Sequence, residues 1–294
     1  MSVAVIQGAG GALGSNFARH LLRQTNLSIV ATSRDPSAAK RAILEGADGK
    51  LDESRLKLVE VDGKIEDTIK RAAREVEQEF GEKSLRLLIN ASGVGSPSRH
   101  RPPCDADANG LRRFQLHADK SVAEVNYDKL LESFQLNTFA HLLAFKHFYP
   151  LLPQKSDIRS TKADSDEQDP ANGLVQPGLG VLASLTARIG SIGDNHKGGW
   201  MGYRASKAAA NQVVATLQRE LSLRSTPSIA VALHPGTVVG TNLSKPWTNE
   251  SDAGKKAGVF TAEVSTSKLL DVIKGLKGSD GGKFLDYAGK EIVW

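Results

Sequence analysis

Short, nearly continuous apolar runs alternate along this chain with longer stretches in which apolar positions recur every three or four residues. The first pattern predicts strands and the second amphipathic helices. Strands are expected at Val3–Gln7, Leu27–Thr32, Leu56–Asp62, Leu85–Asn90, Gly180–Leu185, Ser228–His234 and Lys283–Tyr287. Helices are expected at Leu13–Gln24, Ile65–Phe80, Asp128–Leu151, Met201–Leu223 and Glu263–Leu276. The clearest stripe is Ile65, Ile69, Ala72, Ala73, Val76 and Phe80, one face of a helix. A run such as Leu85-Arg86-Leu87-Leu88-Ile89 is apolar on both sides, as in a strand covered by helices on both sheet faces. Strand–helix alternation predicts an α/β fold of the Rossmann type, a doubly wound parallel sheet flanked by helices on both faces.

No repeat or linker divides the 294 residues, so the expectation is a single domain over 1–294. Two polar, turn-rich stretches interrupt the alternation at 96–126 and 154–177. They are longer than ordinary connections, and loops of that length are functional or disordered. The first is expected on the substrate side and the second, acidic one as a surface excursion.

Composition narrows the class. The hydrophobic share of 40 % supplies a sizeable core. No apolar run reaches the roughly 18 residues of a membrane span, and the start Met1-Ser2-Val3-Ala4-Val5 lacks the pattern of a signal peptide. The single cysteine, Cys104, has no internal partner, and no Cys/His spacing resembles a metal site. A reducing, cytoplasmic location is the expectation. The net charge of +5 is diffuse and argues against nucleic acid, while a mildly basic protein suits an anionic cofactor.

Directly after the first strand stands Gly8-Ala9-Gly10-Gly11-Ala12-Leu13-Gly14. Glycines let a backbone turn sharply and approach a pyrophosphate, and the following helix offers unpaired N–H groups to the anion. The second strand ends in Thr32-Ser33-Arg34-Asp35. An acidic residue here accepts from a ribose 2′-hydroxyl, whereas arginine pairs with a 2′-phosphate. Because Arg34 comes first, NADP(H) is preferred over NADH; a merely solvated Arg34 is the alternative.

Tyr203 and Lys207 open a long helix at i, i+4, on one face. An ammonium beside a phenol favours the phenolate, so that tyrosine can exchange a proton with a carbonyl oxygen as hydride arrives or leaves. Such a pair alone occurs by chance in many helices.

Read in order, the glycine-rich turn, Asn90-Ala91-Ser92-Gly93, Asn137, a hydroxyl after the fifth strand, Tyr203-Arg204-Ala205-Ser206-Lys207 and Pro235-Gly236 resemble the short-chain dehydrogenase/reductase family over nearly the whole chain. Gly190-Ser191-Ile192-Gly193-Asp194-Asn195, Gly198-Gly199-Trp200 and Leu243-Ser244-Lys245-Pro246-Trp247 are similar to its C-factor and sniffer-type carbonyl reductase branch. The resemblance implies an NADP-dependent enzyme acting on a carbonyl or secondary alcohol. It makes Tyr203 the general acid/base, Lys207 its tuning partner and holder of the nicotinamide ribose, and Asn137 an organiser of a water relay. Gly8, Gly10, Gly11, Leu13, Gly14, Ser33, Arg34, Asp62, Asn90, Ala91 and Gly93 would hold the pyrophosphate and adenosine, Asp62 meeting the adenine. Pro235, Gly236, Val238 and Thr241 would lie by the nicotinamide.

The hydroxyl that polarises the carbonyl is open between Thr186, four residues before Gly190, and Ser184, on the same strand face. Gln7 stands where the family usually has threonine, Ala12 replaces one glycine, and Val239-Gly240 lengthen the path to Thr241. The substrate pocket is expected from 96–126, Ile192–Trp200 and Leu243–Phe260, with Trp200 and Trp247 as an apolar wall or as ordinary packing. The helices Asp128–Leu151 and Met201–Leu223 allow a homo-oligomer. A cofactor-binding regulatory or signalling protein with little turnover is the competing function.

Overall fold

The computed structural model describes residues 2–45, 49, 51–93, 119–154, 169–241, 243–245 and 248–294. Cys104, Trp247 and most of the two polar stretches lie outside them.

The strands β1 (Val3–Gln7), β2 (Ser28–Ser33), β3 (Leu56–Glu60), β4 (Leu85–Asn90), β5 (Gly180–Leu185), β6 (Ser228–His234) and β9 (Phe284–Asp286) form one parallel sheet in the order β3-β2-β1-β4-β5-β6-β9. A two-stranded piece, β7 (Thr237–Val238) with β8 (Val259–Phe260), sits beyond the end of β6. Alternation inside the central strands explains their unbroken apolar character. Ala4, Ile6, Ile29, Leu87 and Ile89 pack on one face; Val3, Val5, Val30 and Leu88 pack on the other. Burial on both faces removes the need for a polar side.

One face is covered by α1 (Ala12–Gln24), α2 (Pro36–Leu44) and α7 (Ala262–Gly275), the other by α3 (Glu66–Phe80), α5 (Ala140–Phe148) and α6 (Met201–Leu223). In α3 the predicted stripe of Ile69, Ala72, Ala73 and Val76 is buried. Glu66 and Asp67 stand in its first turn, where carboxylates favour the helix dipole.

Three elements depart from the sequence pattern. Helix α2 was not expected, although Asp35 caps it through Ala38 N–H (2.8 Å) and Pro36 occupies its first turn. The third strand stops at Glu60 because the Asp62 carboxylate accepts Lys64 N–H and begins a turn. The helix expected over Asp128–Leu151 is three pieces: α4 (Tyr127–Phe134), a π-helical turn at Gln135–Phe139, and α5.

Strand order reverses direction between β1 and β4. In such sheets ligands lie in the crevice beyond the carboxyl ends at this switch point. Gln7, Asn90 and Ser184 stand there side by side in register.

Candidate active site

The turn between β1 and α1 is shaped by missing side chains. Gly8 has φ +86°, and a Cβ there would lie 2.7 Å from Ser92 N. A Cβ on Gly10 would stand 2.6 Å from Ser33 Oγ, and one on Gly14 would overlap the Gly8 carbonyl oxygen. The turn therefore presses β1, β2 and the β4 loop together, with Gly8 and Ala9 N–H both donating to Thr32 O. Helix α1 starts after Gly11 with no side-chain cap and no acidic residue in its first turn. The N–H groups of its first turn, that of Leu13 included, have no partner within the helix, the feature that lets a helix start receive an anion.

At the end of β2, Asp35 is committed to capping α2. Arg34 is exposed and has no ion-pair partner among the described residues. Asp62 lies just beyond β3, half-buried in its own turn.

The chemical centre is built by the π turn, α5 and α6. The extra residue of the π turn brings Asn137 and Thr138 toward α6. Asn137 Nδ2 donates to Ser206 Oγ (3.0 Å), Thr138 Oγ1 donates to Ser206 O (2.8 Å), and Ser206 Oγ donates to Tyr203 O (2.9 Å). Tyr203 and Lys207 are buried, with Lys207 Nζ 6.0 Å from the phenol ring centre. Nζ donates to Leu185 O at 3.0 Å. A Cβ on Gly93 would stand 3.1 Å from Asn137 Oδ1 and 3.4 Å from Nζ, so only glycine lets the β4 loop close on both. Burial holds the lysine at about 7 and pushes the phenol up. The expected lowering of the phenol by its lysine is thus outweighed by desolvation of both groups.

His141, which the sequence offers only alongside His147, six residues apart and off a common helical face, lies beneath this pair. Its Nε2 is 2.9 Å from Ser92 O and its Nδ1 2.6 Å from Ser184 Oγ. A carbonyl only accepts, so Nε2 carries the proton and Nδ1 accepts from the Ser184 hydroxyl. Burial first, and then the nearby Lys207 charge, keep the imidazole neutral, down to about 3. The Ser184 hydrogen is therefore spent, and its side chain is fully buried. Thr186 differs: its N–H is held by Leu233 O (2.9 Å), while Oγ1 is buried without a partner. The one available sequence signal for His141 was its place four residues after Asn137.

The segment that enters α6 is pinned. Arg204 donates to the carbonyls of Gly198, Gly199 and Ile189. Asp119 accepts Trp200 N–H through its carbonyl (2.6 Å) and Gly202 N–H through its carboxylate (3.2 Å). Trp200 is left-handed (φ +58°), and its ring centre lies 6.0 Å from that of Tyr203. Beyond β6, Gly236 (φ +76°) abuts Gly258 O, and Val238 pairs with Phe260. The Thr241 hydroxyl donates to Val238 O and also accepts Ser244 N–H, closing the turn.

A dinucleotide fits this edge. Gln7 Oε1, Thr32 Oγ1, Asn90 Oδ1, Ser92 Oγ and Thr186 Oγ1 are buried polar atoms without a hydrogen-bond partner, all at strand ends. Ala91 sits between them with its N–H on Gln7 O. Such atoms are costly unless a ligand or solvent engages them.

The comparisons agree. Residues 2–140 match the family described as the KR domain. C-signal of Myxococcus xanthus is 36 % identical over 122 residues, covering 42 % of this chain and 66 % of that protein. The chain spans 62–66 % of the length of the first curated relatives it matches. Among solved structures, the NADPH-bound carbonyl reductase from chicken fatty liver superposes with a TM-score of 0.72 at 25 % identity, both chains fully covered. The carbonyl reductase Sniffer of D. melanogaster gives 0.70 at 21 % identity, again over both whole chains, a likeness of fold. In sequence and fold the chain resembles the short-chain dehydrogenase/reductase family. Within it, the chain resembles the C-factor and Sniffer-type carbonyl reductase branch. No helix among the described residues is long and apolar enough to cross a membrane.

Proposed function

We propose that this chain is an NADP-dependent oxidoreductase that interconverts a carbonyl compound and a secondary alcohol. The observation that carries the reading is the burial of Tyr203 beside Lys207, whose ammonium is bonded to Leu185 O, one residue before the unpartnered hydroxyl of Thr186. Gly8 to Gly14 and the start of α1 would hold the pyrophosphate. Ser33 and Arg34 would hold the adenosine ribose and its phosphate, and Asp62, Asn90, Ala91 and Gly93 the adenine side. Pro235, Gly236, Val238 and Thr241 would flank the nicotinamide, with Thr241 contributing through its backbone because its hydroxyl is engaged. When bound, the dinucleotide supplies or accepts the hydride.

Thr186 Oγ donates to the substrate oxygen and polarises the carbonyl. Tyr203 gives that oxygen a proton as it becomes an alcohol. Lys207, held by Leu185 O, places positive charge beside the phenol and steadies the phenolate left behind. The anionic cofactor favours the charged lysine and so opposes the effect of burial.

The reading is tested by titrating the protein with NADPH and with NADH while following tryptophan fluorescence, then screening carbonyl compounds for NADPH consumption. Tighter NADPH binding and turnover abolished by Y203F are expected. Binding of neither dinucleotide at sub-millimolar concentration would sink it. One observation favours a cofactor-binding regulatory role instead: burial raises the Tyr203 phenol, which disfavours proton release. A biological activity that survives Y203F would select that role. The exposed Tyr127, Leu131, Phe139 and Leu142 on α4 and beyond support a homo-oligomer, checked by light scattering. A cytoplasmic location accords with the reducing chemistry and is checked by fractionation.

A further inference from the structure

We propose that His141 is a positioning residue for Lys207: it ties together the two backbone segments between which the ammonium sits, and so keeps water away from it. The functional side of this proposal rests on the oxidoreductase reading above.

One wall of the lysine's niche is the peptide after Ser92, where a Gly93 Cβ would come within 3.4 Å of Nζ. The other is Leu185, whose carbonyl accepts from Nζ at 3.0 Å. His141 bonds to the residue just before each wall, to Ser92 O at 2.9 Å and to Ser184 Oγ at 2.6 Å. Asn90 Nδ2 donates to the His141 carbonyl at 3.4 Å, which ties the same helix turn to β4. The imidazole is thus a rigid crossbar from the β4 loop to β5.

The chemistry demands a side chain that donates at one end and accepts at the other while staying uncharged. An imidazolium would lose the acceptor that Ser184 needs and would place a second positive charge beside Lys207. The titratable groups facing Lys207 among the described residues are Tyr203 from α6 and His141 from α5. Strands β4 and β5 bring only peptide groups, the Asn90 amide and the hydroxyls of Ser92 and Ser184, and the π turn brings Asn137. With no carboxylate near it among the described residues, the lysine's ionisation is governed by how dry its niche is, and that is what the crossbar sets.

The test follows Lys207 directly in the cofactor-free protein carrying 13C,15N-lysine, its resonance assigned by its loss in Lys207→Met. The wild type should titrate near 7. H141L, which fills the space but cannot bridge, should move the midpoint upward by about one unit or more, tenfold in the ionisation equilibrium, as water enters. H141Q, which can both donate and accept, should stay close to the wild type. In turnover, the basic limb of kcat/KM against pH should shift with the lysine in H141L and not in H141Q. If H141L is too unstable to study, Ser184→Ala removes one of the two ties and should shift the midpoint in the same direction. A lower melting temperature with an unmoved Lys207 midpoint would overturn the proposal, as would H141Q behaving like H141L. A wild-type protein that binds NADPH but reduces no carbonyl would defeat the oxidoreductase reading alone, since the lysine titration still decides the role of His141.

Discussion

The glycine turn at β1–α1 and the polar floor under Lys207 lie at the same edge of one sheet, yet they are made in opposite ways. The turn is defined by absent side chains: Cβ atoms at Gly8, Gly10 and Gly14 would strike Ser92, Ser33 and the Gly8 carbonyl. The floor is defined by side chains that satisfy one another, Asn137 with Ser206 and His141 with Ser184. The first region leaves its backbone donors open and takes its partner from outside. The second closes most of its hydrogen bonds internally and leaves the hydroxyls of Thr186 and Ser92 without a partner. On the proposed oxidoreductase reading, a site that binds one molecule and reacts with another needs both kinds of construction.

The largest effect that separates the regions is expected from Y203F, which should lower kcat by about a thousandfold while leaving NADPH affinity within about twofold. Equilibrium fluorescence and steady-state rates on the same preparation check it. Damage to the turn should show the converse. Gly14→Ala forces backbone against backbone and should cost about 3 kcal/mol in urea unfolding, with loss of dinucleotide binding.

Within the floor, the two hydroxyls should part company. T186V removes the outward donor and should lower kcat about a hundredfold at unchanged stability. S184A strands the His141 acceptor and should cost about 1–2 kcal/mol of stability, shifting the pH profile while leaving kcat at its optimum little changed. The reverse outcome would exchange their roles.

The floor also carries a pH signature that the turn lacks. His141 is held neutral down to about 3 in the folded chain, whereas the unfolded chain binds a proton below about 6.5. Its contribution is complete above that value and is lost as pH falls toward 3. Between pH 7 and 5 it should remove about 2 kcal/mol of stability, and H141Q should lack that loss, as denaturant titrations at each pH will show. Buried His234, lowered to about 4, adds a second loss of the same sign in both proteins. The smallest effect is expected at the rim of the turn. Arg34→Ala should reduce the NADPH-over-NADH preference about tenfold, read from paired dissociation constants.

How much of this was legible follows from where the information sits in the chain. β1, β4, β5, β6 and the helix Met201–Leu223 were readable to the residue because their signals are local: a run of apolar positions, or a stripe bounded by polar ends. The glycine turn and Tyr203–Lys207 were readable for the same reason. The break in Asp128–Leu151 was not, since the π turn is held by Asn137 and Thr138 bonding to Ser206, some seventy residues away. His141 was invisible because its meaning depends on Ser92 and Ser184, which only the sheet brings together. The contrast between Ser184, bonded to His141, and Thr186, without a partner, is likewise a property of the folded state. Helix α2 is the exception: Asp35-Pro36 mark its start locally, as a side-chain cap followed by a proline in the first turn.

The π turn at Gln135–Phe139 acts as a phase shifter. Each residue of an α-helix advances the side chains by about 100°, so one additional residue rotates everything after it by that angle relative to everything before. The half of the helix bearing Tyr127 and Leu131 and the half bearing His141, Ala144 and Phe148 therefore have independent azimuths. Deleting a single residue between 135 and 139 would restore a regular helix and would swing His141 away from β5, at the cost of the Asn137 and Thr138 bonds to Ser206. Ala144 and Phe148 would turn with it, so the extra residue sets at once the angle at which this half of the helix packs on the sheet and the angle at which it presents its imidazole.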